Sequence, residues 1–252
     1  MEGAAEAVAQ DKMGIHPGIE IHGLTLYLKK EKILIFADLH LGYEEELMEF
    51  GYLVPRFQYK EIIGHLEKIL SEIDVKKVII NGDLKHEFGR ISEQEWEEVL
   101  NFLDFLEERV DEIILIKGNH DNIIGPIATK RKVSIVPSYF IKEIGAYITH
   151  GHEIPEDKDL DKAEIVIIAH DHPALSLRED LRIEKVKCFL KGKWNDKVLI
   201  QIPSLNFVTE GTDLTQENPL SPFMDQNLDE FEAYGIENLD IFYFGNLKDT
   251  KR

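Results

Sequence analysis

The sequence predicts an α/β protein, a four-layer α/β/β/α sandwich in which two mixed sheets pack face to face. Three observations predict it. Five short apolar runs, at 33–36, 78–80, 113–116, 147–149 and 165–168, each break off into a polar cluster containing Asp, Asn or His. Helix-period segments separate the first three runs, giving the βαβ rhythm of a largely parallel sheet. After residue 120 the runs come too close together for helical crossovers, which implies antiparallel pairing in a second, mixed sheet packed on the first.

The elements follow in order. Residues 1–13 are Ala/Glu-rich, lack the apolar core of an export signal and read as a frayed extension, leaving 14–252 as one domain. Alternation over 18–30 suggests a hairpin turning near Gly23 and leading into the first run. Pro55 suits the first turn of a helix whose apolar face is Phe57, Ile62, Ile63, Leu66, Ile69 and Leu70. A second helix opens at Ser92-Glu93-Gln94-Glu95, the spacing of a capping box, and would bury Trp96, Val99, Leu100, Leu103 and Leu106. Runs at 133–136, 139–143, 146–149, 165–168, 182–190 and 197–202 read as strands of the second sheet. The stretch 210–230 is rich in Asp, Glu, Asn, Pro and Gly and reads as a long loop, and Ile241 to Phe244 returns as an edge strand.

Composition narrows the function. The chain has 252 residues, enough for one large domain with a substantial core. No apolar stretch approaches the ~20 residues of a membrane helix, so no membrane role is expected. Cys188 is the single cysteine, which excludes an intramolecular disulfide and fits a reducing cytoplasm. A small buried hydrophobe is the better reading of it than a reactive thiol. The net charge of −19 at pH 7 counts against a protein that grips duplex DNA along its backbone, because such proteins show a basic stripe. Here Lys and Arg are scattered among acids.

The polar clusters carry the chemistry. They are Asp38-Leu39-His40, Asn81-Gly82-Asp83, Gly118-Asn119-His120-Asp121, His150-Gly151-His152 and Ala169-His170-Asp171-His172. A β-branched run that ends in a metal-ligand residue delivers that residue to the carboxyl edge of a sheet, where α/β folds build sites. Each fragment alone has a bland explanation: a strand-end Asp usually caps a helix, and His-x-His is often a surface pair. Five in order point instead to a dinuclear centre, whose bridging carboxylate, imidazoles and amide oxygen leave positions for water and substrate. The candidate ligands are Asp38, His40, Asp83, Asn119, His150, His170 and His172. In extended backbone, residues two apart share a face, so Asp38/His40 and His170/His172 would each point into one cavity.

These motifs resemble the calcineurin-like metallophosphoesterases, whose signature runs D-x-H, G-D, G-N-H-D/E, H-G and G-H-x-H. The resemblance covers about residues 32–210, with Ala169 standing where glycine is usual. Gly82 to His86, His170 to Ala174, Leu177-Arg178, Pro203 to Asn206 and Gly211 to Asp213 are similar to one subgroup. It comprises archaeal phosphoesterases related to the double-strand-break repair nuclease, and bacterial ligase-associated phosphoesterases. The resemblance implies that Asp38, His40 and His172 hold one ion, that Asp83 bridges, and that Asn119, His150 and His170 complete the other. It implies that His120 is a non-ligand facing the leaving group and that Asp121 orients it. The two divalent ions would be Mn²⁺, with Fe, Co, Ni or Zn as alternatives.

The expected enzyme is a cytoplasmic phosphodiesterase in which a hydroxide shared by both ions attacks small or nucleotide-derived phosphodiesters. A nuclease acting on DNA ends is the alternative, and a scaffold without catalysis a third. His86 and Arg178 are candidate substrate contacts. The competing readings are a surface or supporting role for His86 and, for Arg178, an ion pair with Glu179 or Asp180. Tyr43 and residues 44–56 would form a rim or a helix on the sheet edge. Trp194 and Phe207 are more simply core aromatics than base-stacking ones.

Overall fold

The computed structural model describes residues 10–125, 130–179 and 182–250, with side chains described for all of these except 178, 179, 182 and 183. The first sheet runs in chain order: β1 (Met13–His16), β2 (Ile19–His22), β3 (Thr25–Leu28), β4 (Ile33–Phe36), β5 (Lys77–Asn81), β6 (Glu112–Ile116) and β7 (Val133–Val136). β1 to β4 form an antiparallel meander, and β4 to β7 are parallel. The second sheet contains β8 (Ser138–Ile141), β9 (Ala146–Thr149), β10 (Ile165–Ile168), β11 (Pro173–Glu179), β12 (Arg182–Trp194), β13 (Lys197–Gln201), β14 (Thr212–Asp213), β15 (Glu232–Glu237) and β16 (Asp240–Asn246). Their order is β14-β11-β12-β13-β10-β9-β8, with β15 pairing β12 and β16 pairing β15. At its centre β9, β10 and β13 are parallel, and the rest is largely antiparallel.

The predicted sandwich is present, and side-chain alternation explains it. Along β10, Ile165 and Ile167 join the main core between the sheets, while Val166 and Ile168 join a second core on the outer face. β9 does the same, with Ala146 and Ile148 inward and Tyr147 outward. A run that is apolar at every position is what a strand covered on both faces requires. On the first sheet the outer cover is helical: α2 (Gln58–Glu72) and α3 (Glu93–Glu107). Phe36 of β4 meets Phe102 of α3 edge to face at 6.1 Å between ring centroids. The capping box at the start of α3 is formed, with the Ser92 hydroxyl accepting the Glu95 N–H and the Glu95 carboxylate accepting the Ser92 N–H.

Several elements depart from the sequence reading. Helix α1 (Tyr43–Glu49) precedes α2, and α2 opens at Gln58 rather than at Pro55. The buried Glu44 carboxylate sets that start by accepting the N–H groups of Phe57 and Gln58, which satisfies donors a helix N-terminus leaves free. The run at 133–136 belongs to the first sheet as β7, because the chain crosses back to pair it parallel with β6. The outermost layer has little helix: α4 (Lys158–Lys162) and α5 (Leu247–Thr250) flank an irregular segment that fills the space. Phe223 and Met224, inside the stretch read as a loop, are fully buried against the outer face of the second sheet. The expected extension falls outside the described residues over 1–9, whereas Gln10 bridges Ile241 and Met13 opens β1. No helix among the described residues is long and apolar enough to cross a membrane.

One buried histidine ties α2 to the meander. His65 accepts the Leu24 N–H at 3.0 Å through Nε2, and burial pushes its pKa down to about 4. A pKa depressed in the folded state means that the unfolded chain takes up the proton first as pH falls. Keeping this buried ring neutral therefore contributes its full stability above pH 6.5, and this is lost as pH drops toward 4, by about 3 kcal/mol. His65→Gln keeps an acceptor without titrating, so its melting temperature is expected to depend less on pH between 6.5 and 4. Superimposable pH profiles for the two proteins would show that His65 does not carry the linkage.

Candidate metal centre

Every candidate ligand lies just beyond the carboxyl end of a parallel strand. Asp38 and His40 follow β4, Asp83 follows β5, Asn119 follows β6, His150 follows β9, and His170 and His172 follow β10. The first three strands belong to one sheet and the last two to the other. Hydrogen bonds between the sheets bring the ends together. Asn81 donates its amide N–H to the Thr149 carbonyl at 2.9 Å, Leu205 donates its N–H to the Ala37 carbonyl at 2.8 Å, and His170 donates its N–H to Asp38 Oδ2 at 3.1 Å.

The ligand backbone is not extended. Asp38, His40, Asp83, His170 and His172 have φ of 54°, 48°, 51°, 78° and 51°, in the left-handed region. Each such residue costs roughly 1–2 kcal/mol. Strained turns, rather than the alternation of a strand, aim both members of each pair inward.

Among the described residues three groups of side chains could hold an ion: His40, His86 and His120 form one, and the candidate ligands form the other two. Asp38, His40 and His172 have donor atoms within 4.8 Å of one another, and so do Asp83, His150 and His170. In the first of these two, His40 Nε2 is 3.2 Å from His172 Nε2, and His172 Nε2 is 3.6 Å from Asp38 Oδ2. In the second, His150 Nε2 is 3.2 Å from Asp83 Oδ2 and 3.1 Å from Asn119 Oδ1. The groups meet at Asp83, whose Oδ2 is also 3.8 Å from His40 Nε2 and 3.9 Å from His120 Nε2. His150 Nδ1 lies 2.9 Å from the Asn81 carbonyl, which fixes the N–H there and leaves Nε2 free as a ligand.

The donor set suits divalent ions. Asp38 Oδ1 is a buried acceptor with no hydrogen-bond partner, and the candidates offer oxygen and nitrogen without thiolate. Charge in the cluster is tightly balanced. Burial disfavours the Asp83 carboxylate, yet His150, His40 and His120 hold its pKa well below the usual range. Burial likewise opposes protonation of His150, but Asp83 and Asp38 hold its imidazole up to about 9. Burial, followed by the charge of His172, pushes His40 well down. These His/Asp groups could hold metal ions.

Further side chains surround the candidate ligands. His120 packs against Asp83, with its N–H bonded to Asp83 Oδ1 at 2.9 Å and its ring Nδ1 against the His86 carbonyl. Among the described residues no hydrogen bond joins Asp121 to that ring. Its carboxylate accepts the N–H groups of Asp83, Leu84 and Gly118, so it fixes the loop carrying His120 instead of the imidazole. Burial and the charge of Asp83 push Asp121 up to about 6. His86 reaches the site, its Nδ1 3.2 Å from His40 Nδ1, with Tyr43 stacked on its face at 3.9 Å. The side chain of Arg178 lies outside the described residues. His152 packs beside His150 and His170 at 5.3 and 6.1 Å between ring centroids. Trp194 packs at a tilt against Phe223, Phe207 lies against His65, and Cys188 is fully buried, its thiol pushed up by burial.

Sequence reasoning placed Asn81 in a polar cluster without giving it a role, and missed Glu46, which nothing local distinguishes from its acidic neighbours. Beside the ligands opens a cavity of about 410 Å³, walled by His40, His86, His120 and His172 on one side and by Asn206 and residues 209–212 on the other. No lysine or arginine is among the described residues that line it.

Known proteins share this fold. The nuclease MPE of Pseudomonas putida has a similar fold, with a TM-score of 0.64 at 18% identity over 94% of this chain and 100% of that one. The phosphoesterase Yfce of E. coli is a more distant match, with a TM-score of 0.37 at 14% identity over 80% of this chain and 86% of that one. No curated protein sequence matches significantly. The sequence profile of the calcineurin-like phosphoesterases matches residues 31–200. The chain belongs to the calcineurin-like phosphoesterase family.

Proposed function

We propose that the protein is a dinuclear-metal-dependent phosphodiesterase acting on small or nucleotide-derived phosphodiesters. The observation that carries this reading is the position of Asp83 Oδ2, within 3.2–3.9 Å of imidazole nitrogens on His150, His40 and His120. Asp38, His40 and His172 would hold one ion, Asn119, His150 and His170 the other, and Asp83 both. When bound, such ions, Mn²⁺ first among them, supply Lewis-acid stabilisation and lower the pKa of water toward ~7.

The chain's own groups do the rest. His120 stands beside the bridging carboxylate with Nδ1 held by a backbone carbonyl, which leaves Nε2 to carry a proton to the departing oxygen. Phe88 packs against the His120 ring at 3.7 Å between centroids, which restricts its rotation. The charge of the cavity lining supports the choice of a diester over a monoester. Its described lining has no fixed cation and includes Glu210, which repels a dianion more strongly than a monoanion.

A nuclease is the second reading. It is favoured by the fold shared with the Pseudomonas putida nuclease over nearly the whole chain and opposed by the net charge of −19. Steeply salt-dependent binding to DNA would support it.

Activity screening separates these readings. With Mn²⁺ supplied, bis-p-nitrophenyl phosphate is expected to turn over faster than the monoester; the reverse order would overturn the diesterase. Cyclic nucleotides and single- and double-stranded DNA in the same screen rank the substrates. Asp83→Asn should release metal from both positions and abolish hydrolysis, and wild-type turnover in that variant would refute bridging. His120→Ala should keep the metal content while turnover falls by ~10²–10⁴-fold. Loss of metal in that variant would make His120 a ligand.

A further inference from the structure

Helix α1 brings a carboxylate to the first ligand group, and the way it is anchored leaves that carboxylate little freedom. The Gly42 N–H bonds to Glu98 at 3.2 Å, and the backbone there lies so close to α3 that a Cβ would stand 2.2 Å from Glu95 Cγ. The next two acids tie the helix to α3 and to the start of α2. Glu44 is fully buried and accepts from Phe57, Gln58 and Gln94, while Glu45 accepts the Gln94 N–H at 2.9 Å. Glu46, next along, points at the site, with its carboxylate bonded to His86 Nε2.

The far side of the His86 ring completes a chain. Its Nδ1 is 3.2 Å from Nδ1 of His40, and its faces are held by Tyr43 at 3.9 Å and His120 at 5.4 Å between centroids. Two ring nitrogens at that distance share one hydrogen, so one must donate and the other accept. His40 Nε2 faces His172 and Asp83, and as a ligand it needs a free lone pair there. The His40 N–H is then on Nδ1 and is donated to His86. That places the His86 N–H on Nε2, where Glu46 accepts it. A single arrangement of hydrogens satisfies all three groups with both rings neutral.

We propose that Glu46 and His86 are positioning residues for His40, fixing its tautomer and ring orientation and strengthening it as a metal donor. This assigns His86 a role toward the ligand rather than toward substrate, and it rests on the dinuclear reading above. Partners of this kind typically change metal affinity by ~10–100-fold.

The test titrates Mn²⁺ alone into metal-stripped protein and follows free Mn²⁺ by electron paramagnetic resonance. Glu46→Gln and His86→Ala are each expected to weaken one of the two bound ions by ~10–100-fold and to leave the other at its wild-type affinity. In the His86→Ala background, Glu46→Gln should have no further effect, because the carboxylate acts only through the imidazole. His86→Asn, whose amide oxygen can stand where Nδ1 stood, should recover part of the affinity. Unchanged binding of both ions in Glu46→Gln and His86→Ala, with a raised KM, would overturn the proposal and make His86 a substrate contact. Equal weakening of both ions would also overturn it. The readout is binding, so inactivity toward diesters would count against the phosphodiesterase alone.

Discussion

A carboxylate buried where two sheets meet must be surrounded by positive charge or donors, and Asp83 imposes that demand on everything nearby. Two glycines make room for it. A Cβ on Gly118 would lie 2.1 Å from Asp83 Oδ1, and one on Gly82, at φ +88°, would lie 2.2 Å from His150 Nδ1. Asp121 accepts the Asp83 N–H, the His120 N–H donates to Asp83 Oδ1, and three imidazoles face Oδ2. Removing Asp83 would strip those imidazoles of the charge that organises them. Exchanging either glycine would push the carboxylate or the His150 ring out of place.

The same residues fasten the two layers. Among the bonds that cross from one sheet to the other at this end are those from Asn81 to Thr149, from His150 to Asn81 and from His170 to Asp38. The site is therefore continuous with the packing of the sandwich. Left-handed backbone at five candidate-ligand positions is tolerated because cores on both faces of the central strands hold the strand ends in place.

Much of this was legible in the sequence because the local pattern and the global arrangement agree. Apolar runs with β-branched residues mark strands buried on both faces, and the polar residue that ends each run marks the edge where the sheet meets the cavity. Ser92-Glu93-Gln94-Glu95 is a contiguous signal with a local cause, and it was readable for that reason. Pairing is not local. Val133–Val136 reads as a strand in either sheet, and only a crossover back beside β6 decides between them. The outer layer was obscure because Phe223 and Met224 sit in a polar stretch with no periodicity to announce burial. Spacing placed Asp38 and His40 on one side, but by the wrong route, since sequence does not disclose a positive φ. Asp121 and Glu46 depend on partners far along the chain, at Leu84 and at His86, and those contacts exist only once the fold has formed.

The cavity wall has a consequence for turnover. With no fixed ammonium or guanidinium among its described lining residues, it has little hold of its own on a phosphate. In the dinuclear reading that attraction is lent by exchangeable ions, so retention of the cleaved anion would rise and fall with metal loading. Product inhibition and catalytic competence would then share one dependence on free cation, and a chelator would relieve the first only by extinguishing the second.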